Sequence, residues 1–351
     1  MEKNFAITCP IPITERKNIL LGHGSGGRLT AQLIHDVFLP AFDNETLRKM
    51  DDQAVLEVGR SRIAFTTDSF VVTPLFFPGG DIGKLAVNGT VNDLAMSGAK
   101  PLYLSVAFIV EEGFEIEELS RVVQSMSEAA REAGVAIVTG DTKVVNKGSA
   151  DRLFITTSGV GLVPEGIEIS ASKARAGDVI ILSGTIGDHG MAVFSKREGL
   201  DFEGSILSDT APLYSLVAAM MAAARAGEIH VLRDPTRGGL GTSLCEIAAT
   251  AKIGIEIDAN AIPVREDVKA ACEILGLDAL FVANEGKLVA FVAPESANAV
   301  LEGMRRIPEG REATVIGRAV GTHSGMVLLR TEVGGTRLVD LPFTEQLPRI
   351  C

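Results

Sequence analysis

The order of apolar and polar positions sorts the chain into strands and helices that recur in both halves. RIAFTTDSF (62–70) is predicted as a strand ending in a polar turn. Residues 80–100 follow as a helix, with Ile82, Leu85, Ala86, Leu94 and Ala95 on its apolar side. LYLSVAFIV (102–110) has the continuous apolar run of a buried strand. Apolar side chains at 116, 119, 122, 123, 126 and 130 give residues 115–134 the period of an amphipathic helix, closed by Gly134. VAIVTGD and LFITTSGVGLV read as further strands.

The polar stretch 164–178, punctuated by Gly and Pro, reads as a domain boundary. Beyond it come strand VIILSG, helices APLYSLVAAMMAAARAG and GLGTSLCEIAATAK, and a helix near 264–275. Strand KLVAFVA, helix 295–306 and strand EATVIGRAV complete the second half. From about residue 331 the pattern thins into a tail with three apolar anchors, Leu338, Val339 and Leu341, then two prolines and a final Cys351. The expectation is an α/β (α+β) protein of two layered domains, 1–165 and 175–330, with a mobile tail over 331–351.

Composition narrows the function. At 351 residues two domains are expected, and 46% apolar against 22% charged residues excludes a disordered chain. Trp is absent and Tyr occurs twice, so stacking on nucleic-acid bases is poorly supplied. A net charge of −12 repels nucleic acid and anionic lipid, so a phosphate ligand has to be held locally, by metal ions or backbone amides. No apolar run approaches a membrane span and the first residues lack a signal-peptide core, which points to the cytoplasm. The cysteines, Cys9, Cys245, Cys272 and Cys351, form no CxxC pair, so neither structural zinc nor a disulfide framework is expected. Cys245 and Cys272 fall in helical patterns as small core residues, and PRIC is not a prenylation signal.

Aspartates recur at strand ends or beside Gly: Asp51, Asp52, Asp68, Asp93, Asp141 and Asp234. Asp93 lies in an apolar helix beside Asn92, four residues after Gly89. A helical Gly costs about 1 kcal/mol against Ala, so close approach of a ligand or another backbone is expected there. Carboxylates of this kind suit Mg²⁺, which bridges one or two of them to nucleotide phosphates. The Gly-rich segment LLGHGSGGRL (20–29) offers backbone N–H groups and Arg28 as a phosphate cover. There is no Walker A sequence and no strand-linked GxGxxG. ATP, if bound, is held by an Asp/Mg²⁺ arrangement rather than a P-loop.

Six stretches in order resemble one superfamily: the Gly-rich loop, DDxAV, TTD, NDLAMxG, a GDT turn and DxTxGGL. It comprises aminoimidazole ribonucleotide synthetase, selenophosphate synthetase, thiamine-monophosphate kinase and formylglycinamidine synthetase. Within it the chain is most similar to the carbamoyl dehydratases of [NiFe]-hydrogenase maturation, through HGSGG, MDDQAVL, TTDSFVV, GDTKVV, DPTRGGL, ANEGK and the terminal PRIC. That resemblance implies a two-domain PurM-like architecture whose N-terminal mixed-sheet domain binds ATP and forms a dimer barrel. It implies a reaction in which a carbamoyltransferase, HypF, loads a carbamoyl group onto the terminal Cys. ATP, converted to ADP and phosphate, then drives dehydration to a thiocyanate, and cyanide passes to iron on a HypC–HypD scaffold.

The resemblance assigns Cys351, Lys143 and Glu285 to catalysis: Cys351 carries the group, Lys143 neutralises the transferring phosphoryl, and Glu285 accepts a proton from the carbamoyl nitrogen. Asp52, Asp68, Asp93 and Asp234 are assigned to Mg²⁺ and phosphate, with Asp51 as a substitute for Asp52. Asn92, Asp141, Gly26 and Gly27 are assigned to nucleotide binding, His23 and Arg28 to the covering loop, and His189 to structure. Two rival readings remain: another ATP-dependent enzyme of the superfamily, such as a selenophosphate synthetase or small-molecule kinase, and a non-catalytic thiol adaptor. HGSGGR carries no cysteine, which argues against selenophosphate chemistry, and ATP turnover separates an enzyme from an adaptor.

Overall fold

The structure, a computed structural model, describes residues 18–24, 26–200, 206–342, 347 and 349–351. Of the residues discussed above, Cys9, Ser25 and Pro348 lie outside these. Short helices α1 (Arg28–Leu33) and α2 (Leu39–Phe42) precede strands β1 (Ala54–Val58), β2 (Ser61–Phe70) and the small ribbon β3 (Phe76–Phe77) and β4 (Gly80–Asp81). Then follow α3 (Ile82–Met96), β5 (Lys100–Glu111), α4 (Ile116–Ala133), β6 (Ala136–Val145) and β7 (Leu153–Val163).

The first domain is a five-stranded sheet in the order β1-β2-β7-β5-β6, antiparallel except for the parallel pair β5–β6. Helix α3 begins where Asp81 accepts hydrogen bonds from the N–H groups of Gly83 and Lys84. It is buried on almost every side, which explains its lack of polar face. Helix α4 buries only Val122, Met126, Ala129 and Ala130, and stops at Gly134, whose φ of 70° is left-handed. Both helices cover one face of the sheet. On the other, Phe65, Tyr103, Ile109 and Leu162 stay exposed, more apolar surface than a lone sheet face usually shows to water.

After residues 164–178 the second domain runs β8 (Val179–Leu182), α5 (Asp188–Glu198), α6 (Tyr214–Ala223), β9 (Ile229–Arg233), α7 (Gly239–Ala251) and β10 (Gly254–Asp258). It continues with α8 (Glu266–Leu275), β11 (Val289–Val292), α9 (Pro294–Arg305), β12 (Thr314–Val320), β13 (Val327–Arg330) and β14 (Thr336–Val339). Its seven strands lie in the order β14-β13-β10-β12-β8-β11-β9. One face packs on α7 through Leu240, Leu244 and Ile247, the other on α6 and α9 through Leu216, Met220, Val300 and Met304. Among the described residues no helix is long and apolar enough to cross a membrane.

Two expectations change. GDT is not a turn: β6 runs straight through Gly140–Lys143, because the β-branched residues on either side sustain the strand. The tail is also shorter than 331–351. Residues Thr336–Val339 add an antiparallel edge strand to β13, with Val339 opposite Val327 and buried. Arg28 then clasps the chain beyond it, pairing with Asp340 and the Leu341 carbonyl while its N–H donates to the Pro342 carbonyl.

The last residues return to the body of the protein. Leu347, Ile350 and Cys351 are buried in the same apolar cluster as Val72 and Phe77 of the first domain and Met191 and Val282 of the second. The Val71 N–H donates to the Cys351 carbonyl (3.1 Å), and Arg349 donates to the Val71 carbonyl and to Thr73 Oγ1. Arg197 reaches the carbonyls of both Thr73 and Arg349. His189 Nε2 donates to the Ile350 carbonyl (3.0 Å), and its Nδ1 accepts from Ser208 Oγ (2.8 Å). Burial pushes the His189 pKa down, which keeps the ring neutral and suits this single-donor pattern.

Candidate active site

A cleft of about 1180 Å³ opens between the two domains, somewhat above the roughly 300–1,000 Å³ usual for ligand pockets. Asp52, Asp68, Asp93, Asp234, Glu285 and Cys351 all line it. Six residues spread over three hundred positions meet because each sits at the end of, or inside, a rigid element. Asp52 enters β1, Asp68 is on β2 and Asp93 is on α3, which packs against β2. Asp234 follows β9 in the turn before α7, and Glu285 precedes β11.

The carboxylates are crowded: Asp234 and Glu285 are buried, and Asp52, Asp68 and Asp93 are half-buried. Asp52 pairs with Arg233 (2.9 Å), Asp93 accepts from Thr66 Oγ1 (2.8 Å) and Asp68 accepts from Thr90 Oγ1 (2.9 Å). Asp234 Oδ2 is buried and makes no hydrogen bond among the described residues. Burial raises Asp52 well above the ordinary carboxylate range against the pull of Arg233. Burial, then repulsion from Asp68, Asp234 and Asp52, does the same to Asp93. Asp68 is raised by burial in spite of Thr90, and Asp234 is pushed up to about 6 by burial in spite of Arg233. Glu285 is raised well above its usual value by burial, then by Asp234 and Asp209. A set of acids that resists ionising together is a set that gains when a cation arrives.

Among the described residues no three or more His, Cys, Asp and Glu side chains are gathered closely enough to hold one metal ion. This arrangement fits Mg²⁺, which is held by one or two carboxylates and completes its shell with water and phosphate oxygens. The unpartnered Asp234 oxygen supplies a ligand of the right hardness.

Cys351 closes one wall, with Arg237 Nη1 donating to its Sγ at 3.7 Å. The described cysteines form no disulfide. Glu285 is fixed through its backbone: its N–H donates to Asp209 Oδ1 (3.0 Å), whose other oxygen lies 3.3 Å from Lys287 Nζ. Its carbonyl accepts from Asn92 Nδ2 (3.2 Å).

Several sequence-predicted residues lie elsewhere. Asp141 and Lys143 pair with each other (2.8 Å), exposed on the edge strand β6, and do not line the cleft. Asn92 is buried with its amide committed: Nδ2 donates to the carbonyls of Ala211 and Glu285, and Oδ1 accepts from Leu213 N–H. Asp51 lines the cleft, but its Oδ1 is taken by Ser170 Oγ and Ala171 N–H. Gly26 lines the cleft, whereas Gly27 caps α1 and does not. His23 is half-buried and bonds Leu20, and Arg28 pairs with Asp340 of the tail. Gly89 lines the cleft, and a Cβ on it would lie 2.9 Å from the Phe70 ring, so the close neighbour there is a side chain rather than another backbone. The sequence reading missed Arg233, Arg237 and Thr90; the arginines stand in RDPTRGG around a predicted site residue, which was the available signal.

Comparison with known proteins now identifies the class. Residues 50–163 match the N-terminal domain, and 175–329 the C-terminal domain, of the AIR synthase related protein family, so the chain belongs to this two-domain PurM-like class. Carbamoyl dehydratase HypE of Bradyrhizobium diazoefficiens is 57% identical over 331 residues, covering 94% of this chain and 95% of that one. HypE of Escherichia coli K12 is 48% identical over 339 residues, covering 95% and 99%. The crystal structure of a HypE–HypF complex superposes with a TM-score of 0.84 at 53% identity, covering 88% of this chain and 99% of that one. HypE in complex with ATP superposes at 0.80 with 48% identity, covering 95% and 100%. Within the class, the chain belongs to the HypE carbamoyl dehydratases.

Proposed function

We propose that the protein is an ATP-dependent dehydratase that converts a carbamoyl group on Cys351 to a thiocyanate, for the cyanide ligands of [NiFe]-hydrogenase. The carrying observation is that Cys351 is seated in the same cleft as four crowded aspartates and Glu285. A thiocarbamate does not lose water at neutral pH, because its oxygen is a poor leaving group. ATP with Mg²⁺ supplies a phosphoryl group that makes that oxygen expendable. Asp52, Asp68, Asp93 and Asp234 are the residues that would hold the metal and phosphates.

The chain's own residues do the rest. The docked tail turns the encounter of thiocarbamate and nucleotide into an intramolecular event. Glu285, with its raised pKa, is a stronger base than an ordinary carboxylate and takes protons from the carbamoyl nitrogen. Lys143, outside this cleft, serves the phosphoryl group of a neighbouring copy, for which the uncovered apolar face of the first sheet provides a dimer surface. HypF is the carbamoyl donor and the HypC–HypD iron scaffold the acceptor, in the cytoplasm, where a terminal thiol stays reduced.

Replacing Cys351 by Ala tests this. The variant is expected to fold and bind ATP but to carry no carbamoyl or nitrile adduct by mass spectrometry. An adduct that persists on the variant overturns the reading.

A further inference from the structure

We propose that Arg237 is a catalytic residue, whose guanidinium grips the carbonyl oxygen of the group carried on Cys351 and holds the charge that gathers between that oxygen and the incoming phosphoryl. This rests on the dehydratase reading above. The observation is a contact: Arg237 Nη1 points at Sγ from 3.7 Å. The carbonyl oxygen of an S-carbamoyl group sits two bonds beyond that sulfur. A planar fork of five N–H donors at this distance reaches it without moving the backbone.

Among the described residues, Arg233 and Arg237 approach the carboxylates, and they are engaged differently. Arg233 is engaged by Asp52 (2.9 Å) and Glu246 (2.7 Å), so its charge is committed to neutralising the wall. Arg237 instead faces the reacting sulfur, and Cys351 first, then Asp68 and Glu285, favour its charged form. Its place is tightly determined. Gly238 and Gly239 follow it with φ of 77° and 62°, and a Cβ on Gly238 would lie 2.3 Å from Thr242 Oγ1. A Cβ on Gly26 would lie 2.9 Å from the Arg237 carbonyl, so the Gly-rich loop presses directly on this residue. Such overdetermined backbone is the support that a preorganised donor needs.

The step balances as follows. The carbonyl oxygen forms a bond to the γ-phosphorus as the bond to ADP breaks, and one N–H proton passes to Glu285, leaving S–C(=NH)–O–PO₃. The second N–H proton passes to an oxygen of the departing phosphate, the nitrogen electron pair closes the C≡N bond, and the C–O bond breaks to release hydrogen phosphate. Arg237 stays on the same oxygen throughout, first as it becomes the bridging atom and then as it departs with phosphate. Nothing is oxidised or reduced.

The test compares wild type, Arg237→Met and Arg237→Lys. Turnover of S-carbamoyl to nitrile is expected to fall about 10²–10³-fold in Arg237→Met. In Arg237→Lys, which keeps the charge but loses the fork, it falls about tenfold to a hundredfold. ATP affinity and carbamoyl loading of Cys351, read by calorimetry and intact mass, are expected to stay within about threefold. In ATP-free protein the pH profile of Cys351 alkylation is expected to move up by about one unit in Arg237→Met, because a cation beside the sulfur favours thiolate. Wild-type turnover in both variants, or an unmoved alkylation profile, overturns the role of Arg237 and leaves the dehydratase reading standing. A wild-type protein that forms no nitrile overturns the reading itself. Should Arg237→Met fail to fold, the lysine variant decides: wild-type turnover there overturns the proposal.

Discussion

Asp234 and Asp141 look alike in the sequence, each an aspartate beside Gly or Pro at the end of a predicted strand, and the fold treats them in opposite ways. Asp234 is buried in the cleft, crowded by other acids, with an oxygen that has no hydrogen-bond partner among the described residues. Asp141 lies on an exposed edge, neutralised by Lys143 two residues away, which lowers its pKa through a direct hydrogen bond. The contrast teaches where cost marks function. An exposed ion pair is worth little and asks for no explanation, whereas a buried carboxylate without a counter-ion is expensive to keep. A protein that crowds several carboxylates into one cleft, with fewer cations than acids beside them, would gain when a cation and phosphate arrive.

The strongest way to break this contrast is Asp234→Asn. Removing the charge is expected to cost turnover about 10²–10³-fold while the thermal midpoint of the ligand-free protein stays level or rises. Full activity in this variant, checked by nitrile formation and ATP consumption, would mean that the crowded wall serves no ligand. Lys143→Ala sharpens the other side. Its stability is expected within about 0.5 kcal/mol of wild type, since the pair it breaks is exposed. Its turnover is expected to fall and to recover partly when it is mixed with inactive Asp234→Asn, each copy supplying what the other lacks. No recovery in re-formed mixed dimers would remove Lys143 from the reaction.

A third effect concerns a buried acid outside the cleft. Asp188, which accepts from Thr185 Oγ1, is raised to about 6, mainly by burial. A carboxyl raised in the folded state contributes its stability below the unfolded value of 3.8 and loses it as pH rises through about 6. Asp188→Asn should therefore flatten the fall in stability between pH 4 and 6. At pH 7 it should be more stable than wild type by up to about 3 kcal/mol, from about two pKa units of difference. Chemical denaturation across this range checks it, and an unchanged slope would show that the carboxyl is not held neutral.

Much of this arrangement was legible before any coordinates. Periodicity is a local property, so the amphipathic face of α4 and its Gly134 stop could be read directly. The aspartates of the cleft and Glu285 could be named because their ordered motifs resemble a family, although a carboxylate in a turn has by itself no direction. The termini of α3 were less clear, since a helix buried on nearly all sides has no polar face to mark its ends. The GDT segment failed because Gly and Asp are turn formers in isolation, and sheet pairing to β5 outweighs that preference.

Taken by itself, the chain determined its two layered halves, its acidic balance and a thiol on its last residue, because these depend on residue types and on neighbours a few positions away. Only the tertiary structure decided that Arg28 holds the tail, that Asn92 is committed to backbone, and that Arg237 meets Cys351 from 114 positions away. Those contacts join residues that share no local period. They exist because two separately formed sheets pack with their strand ends facing one cleft, and a buried polar group takes whichever partner that packing brings within reach.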